Sequence, residues 1–145
     1  MNQISFSLHS PDILGIIIYM DTPRILVIDD DNNTVREITD LLKPEGFEVF
    51  TCGNGEEALG KVRGIKPDII LLDLMLPDQS GFRIAKDIKA EPKLTDIPII
   101  AISLKKEDID KHIAAKSGIA EYCEKPLDYN KLIFIIKDIL KNRQG

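Results

Sequence analysis

The sequence predicts an α/β domain built on an open parallel sheet. Three observations carry this. Residues 25–28, 69–72 and 99–102 are unbroken apolar runs, which suit strands buried on both faces, as in parallel sheets. Segments with apolar residues at helical spacing separate the strands, so strand and helix alternate five times. The runs also stop at polar or charged residues, at the strand ends where open α/β sheets place their sites.

The first strand, 24–28, runs into Asp29 and Asp30, and Asp31 or Asn32 is available to cap the first helix. A helix over 33–42 places Val35, Ile38, Leu41 and Leu42 on one stripe, and Pro44 with Gly46 stops it. Residues 47–51 form the second strand. Gly53, Asn54 and Gly55 make a turn, and Asn54 can cap a helix over 56–63 with Ala58, Leu59 and Val62 inward. The third strand ends in Asp73 and the turn 74–81 comes after it. A helix over 82–90 buries Ile84, Ala85 and Ile88 and ends at Pro92. The fourth strand ends in Ser103. A helix over 106–116 carries Ile109 and Ile113, and Gly118 closes it. The fifth strand, 120–124, leads into Lys125 and Pro126, a pair open to a cis bond. The last helix, 129–142, repeats Leu132, Ile133, Ile136, Ile139 and Leu140 at helical spacing.

Asp29, Asp30 and Asp73 end two strands and so converge. Two carboxylates about 5 Å apart repel by roughly 3 kcal/mol at an effective dielectric of 20, and three raise one another's pKa values. A hard divalent cation removes the conflict, and Mg²⁺ suits a site with few protein oxygens. A cation beside Asp73 also neutralises an incoming phosphoryl group, which makes Asp73 a candidate nucleophile rather than a ligand alone.

With the acid pair Asp29-Asp30, the run from Asp73 to Gly81 (Asp-Leu-x-Leu-Pro-x-x-x-Gly), Ser103, Tyr122 and the pair Lys125-Pro126, the sequence resembles the receiver domain of two-component response regulators. The match covers residues 24 to 145. Each motif alone is weak; five in order at strand ends are specific. The resemblance implies a doubly wound five-stranded parallel sheet of order 2-1-3-4-5, the flavodoxin-like receiver fold. It implies Asp73 as phosphoacceptor, with Asp30 holding Mg²⁺ directly, Asp29 through water and the Met75 backbone carbonyl as a further ligand. Lys125 and Ser103 then bind phosphoryl oxygens, and Ser103 with Tyr122 forms the switch. The implied partners are a histidine kinase or histidine phosphotransfer protein and a downstream protein target. The chain is then no enzyme beyond catalysing its own phosphorylation and dephosphorylation. One departure is Leu104, where receivers usually carry Ala or Gly; it would narrow the approach to Asp73.

The 145 residues allow one domain with a full core, read as 23–145. Residues 1–22 read as an extension whose order the sequence leaves open. Its apolar stretch 13–20 is too short to span a bilayer and lacks a signal-peptide pattern. A loose extension is preferred to one docked on the domain or on a second copy, and membrane contact is preferred least. Met20 is a second candidate start. No linker comes after the last helix, so a stand-alone, cytoplasmic monomer or weak dimer is expected. A net charge of -5 with no basic stripe argues against nucleic acid as partner. Cys52 and Cys123, on opposite outer strands of that order, are expected to stay unpaired.

Each site residue has a plainer reading. Asp29 and Asp30 could cap a helix, Asp73 could start a turn, and Lys125 could be a solvated cation. Ser103 could cap a helix, and Tyr122 could simply pack. Their joint order argues against coincidence. Residues 55–61 imitate a phosphate-binding loop, but Val62 stands where Ser or Thr must bind the metal. A phosphatase using two acids two residues apart fails at Met75. The alternative within the fold is a degenerate receiver that acts only as a protein-binding module.

Overall fold

The computed structural model describes residues 22–104 and 111–144. Five strands, β1 (Arg24–Ile28), β2 (Glu48–Cys52), β3 (Ile69–Asp73), β4 (Ile99–Ser103) and β5 (Glu121–Glu124), form one sheet of order β2-β1-β3-β4-β5. Every pairing is parallel, as the unbroken apolar runs require. The helices are α1 (Asn32–Leu42), α2 (Ala58–Ile65), α3 (Gly81–Ala90), α4 (Lys111–Ser117) and α5 (Tyr129–Gln144).

Alternating side chains of the central strands divide between two cores. Leu26, Ile28, Ile70 and Leu72 pack with Ala58 and Val62 of α2 and with Ile84, Ala85 and Ile88 of α3. Ile25, Val27, Ile69 and Leu71 pack on the other face with Ile38 and Leu42 of α1 and Leu132 and Ile136 of α5. Both faces of β1 and β3 are therefore dry, and burying each such side chain contributes about 1.5–3 kcal/mol. The order places a switch point between β1 and β3, which run in register from Ile25↔Ile69 to Ile28↔Leu72. The connections leave in opposite directions there, so a crevice opens above these two strand ends.

Several boundaries differ from the sequence reading. α1 begins one residue early because Asp31 is its N-cap, its carboxylate accepting from the Asn33 amide. α2 begins at Ala58 rather than residue 56; Asn54 does cap the turn, but it accepts from the Glu57 amide. α3 begins at Gly81 because the Ser80 hydroxyl caps it. α4 is described from Lys111, and the expected start at Lys106, with Ile109, lies outside the described residues. Ile113 is about half exposed rather than part of a core stripe. The expected extension falls almost wholly on residues 1–21, outside the described residues. Cys52 and Cys123 are buried on opposite edge strands and form no disulfide with each other. Among the described residues, no helix is long and apolar enough to cross a membrane.

Candidate functional site

Asp29 comes directly after β1, and its backbone N–H bonds the Cys52 carbonyl, so it keeps the course of the sheet. Its side chain is fully enclosed. One oxygen accepts from the Asp31 amide at 2.9 Å and the other from Lys125 Nζ at 3.0 Å. Asp73 is the last residue of β3 and is also buried. Its Oδ1 accepts from the Met75 amide at 2.9 Å, while Oδ2 lies 3.6 Å from Lys125 Nζ. Asp30 is exposed beside them. One carboxylate oxygen from each of Asp29, Asp30 and Asp73 lies within 4.8 Å of the other two.

Lys125 is held from behind. Its backbone N–H bonds the Ser103 carbonyl at 2.7 Å, and the Lys125-Pro126 bond is cis. The ammonium lies between two buried acids. Burial alone would lower its pKa; Asp29 first, then Asp73 and Asp31, outweigh that and raise it, so Lys125 stays charged. For Asp29 the balance goes the other way. Burial is the largest effect and raises its pKa, Asp73 adds to the rise, and the Asp31 amide and Lys125 offset only part. Among the described residues, the site thus carries three carboxylates against one ammonium. All of these acceptors are oxygens, a set that suits a hard divalent cation.

Ser103 is buried at the end of β4, level with Glu124. Tyr122 lies on β5 beside Ala101, with its hydroxyl oxygen buried. Burial raises its pKa, against a smaller lowering from the neighbouring Ser117. Met75 heads the turn after β3 with its side chain largely exposed. Leu104 is exposed on the rim of an open groove of about 450 Å³, lined also by Asp31, Thr34, Glu37, Lys125 and Tyr129.

The structure therefore gathers Asp29, Asp30, Asp73 and Lys125 into one group, and sets Ser103 at the end of β4 and Tyr122 within β5, two residues short of that level. Two residues escaped the sequence reading. Ser80 as a helix cap was available from the Ser-Gly step before an apolar stripe. Asp78, which bonds the backbone of a different turn, has no local signature.

Residues 25–137 match the family described as the response regulator receiver domain. The DNA-binding response regulator MtrA of Mycolicibacterium smegmatis is 34% identical over 127 residues, covering 86% of this chain and 54% of MtrA. The chain thus spans about half the length of MtrA. Protein PilH of Pseudomonas aeruginosa is 29% identical over 117 residues, 81% of this chain and 97% of PilH. Among solved structures, a two-component response regulator from Clostridium difficile superposes with a TM-score of 0.79 at 31% identity. That likeness covers 86% of this chain and all of the other.

Proposed function

The chain belongs to the response regulator receiver domain family, and on that premise we propose that Asp73 accepts a phosphoryl group and switches a partner-binding face. The donor is the phosphohistidine of a histidine kinase or histidine phosphotransfer protein. An Asp73 carboxylate oxygen forms the new P–O bond as the donor's P–N bond breaks, and the departing imidazole takes up a proton. The observation that carries this reading is the cluster of three carboxylates within 4.8 Å that, among the described residues, one lysine, Lys125, joins. The formal excess of two negative charges equals the charge of one divalent cation.

Mg²⁺ fits this set, with Asp29, Asp30, Asp73 and the Met75 carbonyl as the groups that would hold it. When bound, it supplies neutralising charge to the acids and to the arriving phosphoryl oxygens. Lys125 Nζ, already between Asp29 and Asp73, turns one of its three donors to a phosphoryl oxygen. The Ser103 hydroxyl donates to another. Drawing Ser103 toward the phosphoryl group frees space beside β4, which Tyr122 can enter. That biases a two-state element on the face of α4, β5 and α5. The chain acts as catalyst only on itself, for gain and loss of this group. DNA binding, named for MtrA, is not carried over, since the charge of -5 comes with no basic stripe.

Incubation with acetyl phosphate and Mg²⁺, then intact mass measurement, tests the proposal. One added phosphoryl group is expected on the wild type and none on Asp73→Asn. Equal labelling of the two would remove Asp73 from its role. An unlabelled wild type would favour the degenerate receiver, a binding module alone. Amide shifts on α4 and α5 after adding beryllofluoride test the switch, and shifts confined to the neighbours of Asp73 would refute it.

A further inference from the structure

The turn between β3 and α3 begins at Asp73 and ends at the cap of α3, Ser80. Its tip does not face the acids. It reaches across to the start of α2, on the far side of β1. There Asp78 Oδ1 accepts the Gly55 N–H at 2.9 Å, and Oδ2 accepts the Glu56 N–H at 2.8 Å. Those amides lead into a helix whose own N-cap, Glu57, offers no side-chain bond. The first N–H groups of a helix need outside acceptors and favour negative charge. Both amides stand just before that N-cap, so a carboxylate from another loop, more than twenty residues away, fixes the turn that leads into the helix.

The contact is close as well as polar. A Cβ added at Gly55 would fall inside the Gln79 side chain. The other flank of the turn is equally tight. A Cβ at Gly81 would lie 2.6 Å from the Asp73 carbonyl oxygen and from Leu74 Cα, and the Gly81 amide bonds the Leu74 carbonyl at 3.0 Å. Met75 and Ser80 bridge across the turn. Between these two anchors stands Met75, whose amide bonds Asp73 Oδ1. The turn has little slack, so the position of its tip constrains the position of Met75.

We propose that Asp78 is a positioning residue: by fixing the turn to the backbone of Gly55 and Glu56, it holds Met75 and the Asp73 carboxylate in the geometry that binds the metal. This rests on the metal-assisted reading above. The rival role is a local one, in which Asp78 would steady the turn before α2 and leave the acids untouched.

Two variants and two measurements separate these roles. Asp78→Asn keeps the shape but sets an NH₂ group against one backbone N–H. Gly55→Ala displaces Gln79 from the opposite side and changes no charge. In metal-free protein, both variants should shift the backbone amides of Asp73 and Met75, and Asp78→Asn should speed hydrogen exchange at Gly55 and Glu56. Calorimetric titration with Mg²⁺ should show binding weakened about tenfold in both, the low end of losses from supporting residues around metal ligands. Faster exchange at Gly55 and Glu56, with unmoved Asp73 and Met75 amides and unchanged Mg²⁺ affinity, would make Asp78 an anchor of that turn only. Weakened binding in Asp78→Asn but not in Gly55→Ala would assign the effect to lost charge and overturn positioning. A wild type that takes up no Mg²⁺ would refute the metal reading, and the metal-free amide shifts would still decide whether the turn depends on Asp78.

Discussion

The two ends of the sheet handle charge in opposite ways. At the end where the strands start, Arg24 meets Glu48 at 3.4 Å, and its backbone amide bonds Asp68. Arg143 of α5 also approaches Asp68, at 3.8 Å. Two cations face two anions, and all of them keep a large share of their surface in water. At the end where the strands stop, three carboxylates face one ammonium, and two of those acids are buried. The first arrangement is neutral and needs nothing more. The second holds an unmet demand for positive charge, maintained in a place where burial makes it costly. A fold selected for stability alone would not keep it, and the imbalance marks the functional end.

The comparison can be broken most forcefully at Lys125. Lys125→Met removes the only cation in contact with Asp29 and Asp73 among the described residues. It should lower stability in chelator by about 3 kcal/mol, the low end for a buried pair left with one partner. Urea unfolding measures this, and a midpoint like that of wild type would show that the acids do not depend on Lys125. A smaller effect should appear on acidification of metal-free protein. The folded pKa of Asp29 lies above its ordinary 3.8, so protons favour the folded state there. Its contribution grows as pH falls through the folded value and is complete below the ordinary one. Asp31, Asp78 and Glu91 are shifted down; their contributions hold above the ordinary carboxylate range and are lost as pH falls through their lowered values. Stability in chelator should thus rise on mild acidification before it falls, and Asp29→Asn should remove the rise. A wild-type curve that only falls would contradict the direction given for Asp29.

Smaller still is the gain expected from Asp30→Asn. Removing one exposed member of the acid cluster should stabilise the metal-free domain by about 1 kcal/mol while weakening Mg²⁺ binding; loss on both counts would mean Asp30 is structural. At the opposite end, Arg24→Ala should cost only about 0.5 kcal/mol, as exposed pairs do. A loss as large as that of Lys125→Met would erase the contrast between the ends.

The functional end was legible because each of its side chains terminates or comes just after a strand that announces itself. Asp29, Asp73 and Ser103 stop apolar runs, and Lys125 precedes a proline. Strand order was not legible from periodicity, since runs buried on both faces look alike; it came with the resemblance. Helix starts were less legible. The expected start of α2 missed by two residues because residues 55–57 form a turn whose amides bond Asn54 and Asp78. The part played by Asp78 had no signal at all, because its partners lie on another loop and are backbone groups, which no side-chain pattern encodes. Ile113 was read by its spacing, yet α4 leaves it half exposed.

The outermost strand, β5, has a consequence for how copies of the chain meet. It is only four residues long, Glu-Tyr-Cys-Glu, with both glutamates exposed. An open edge offers unpaired N–H and C=O groups to any neighbour that can align with them. If a second copy added its own β5 in parallel, Glu121 would lie beside Glu121 and Glu124 beside Glu124. If it added in antiparallel fashion, centred between Tyr122 and Cys123, Glu121 would face Glu124 at both ends. Either alignment sets like charges directly opposite, which is destabilising across strands. The brevity of β5 and its two acids therefore protect this edge from sheet extension between crowded copies.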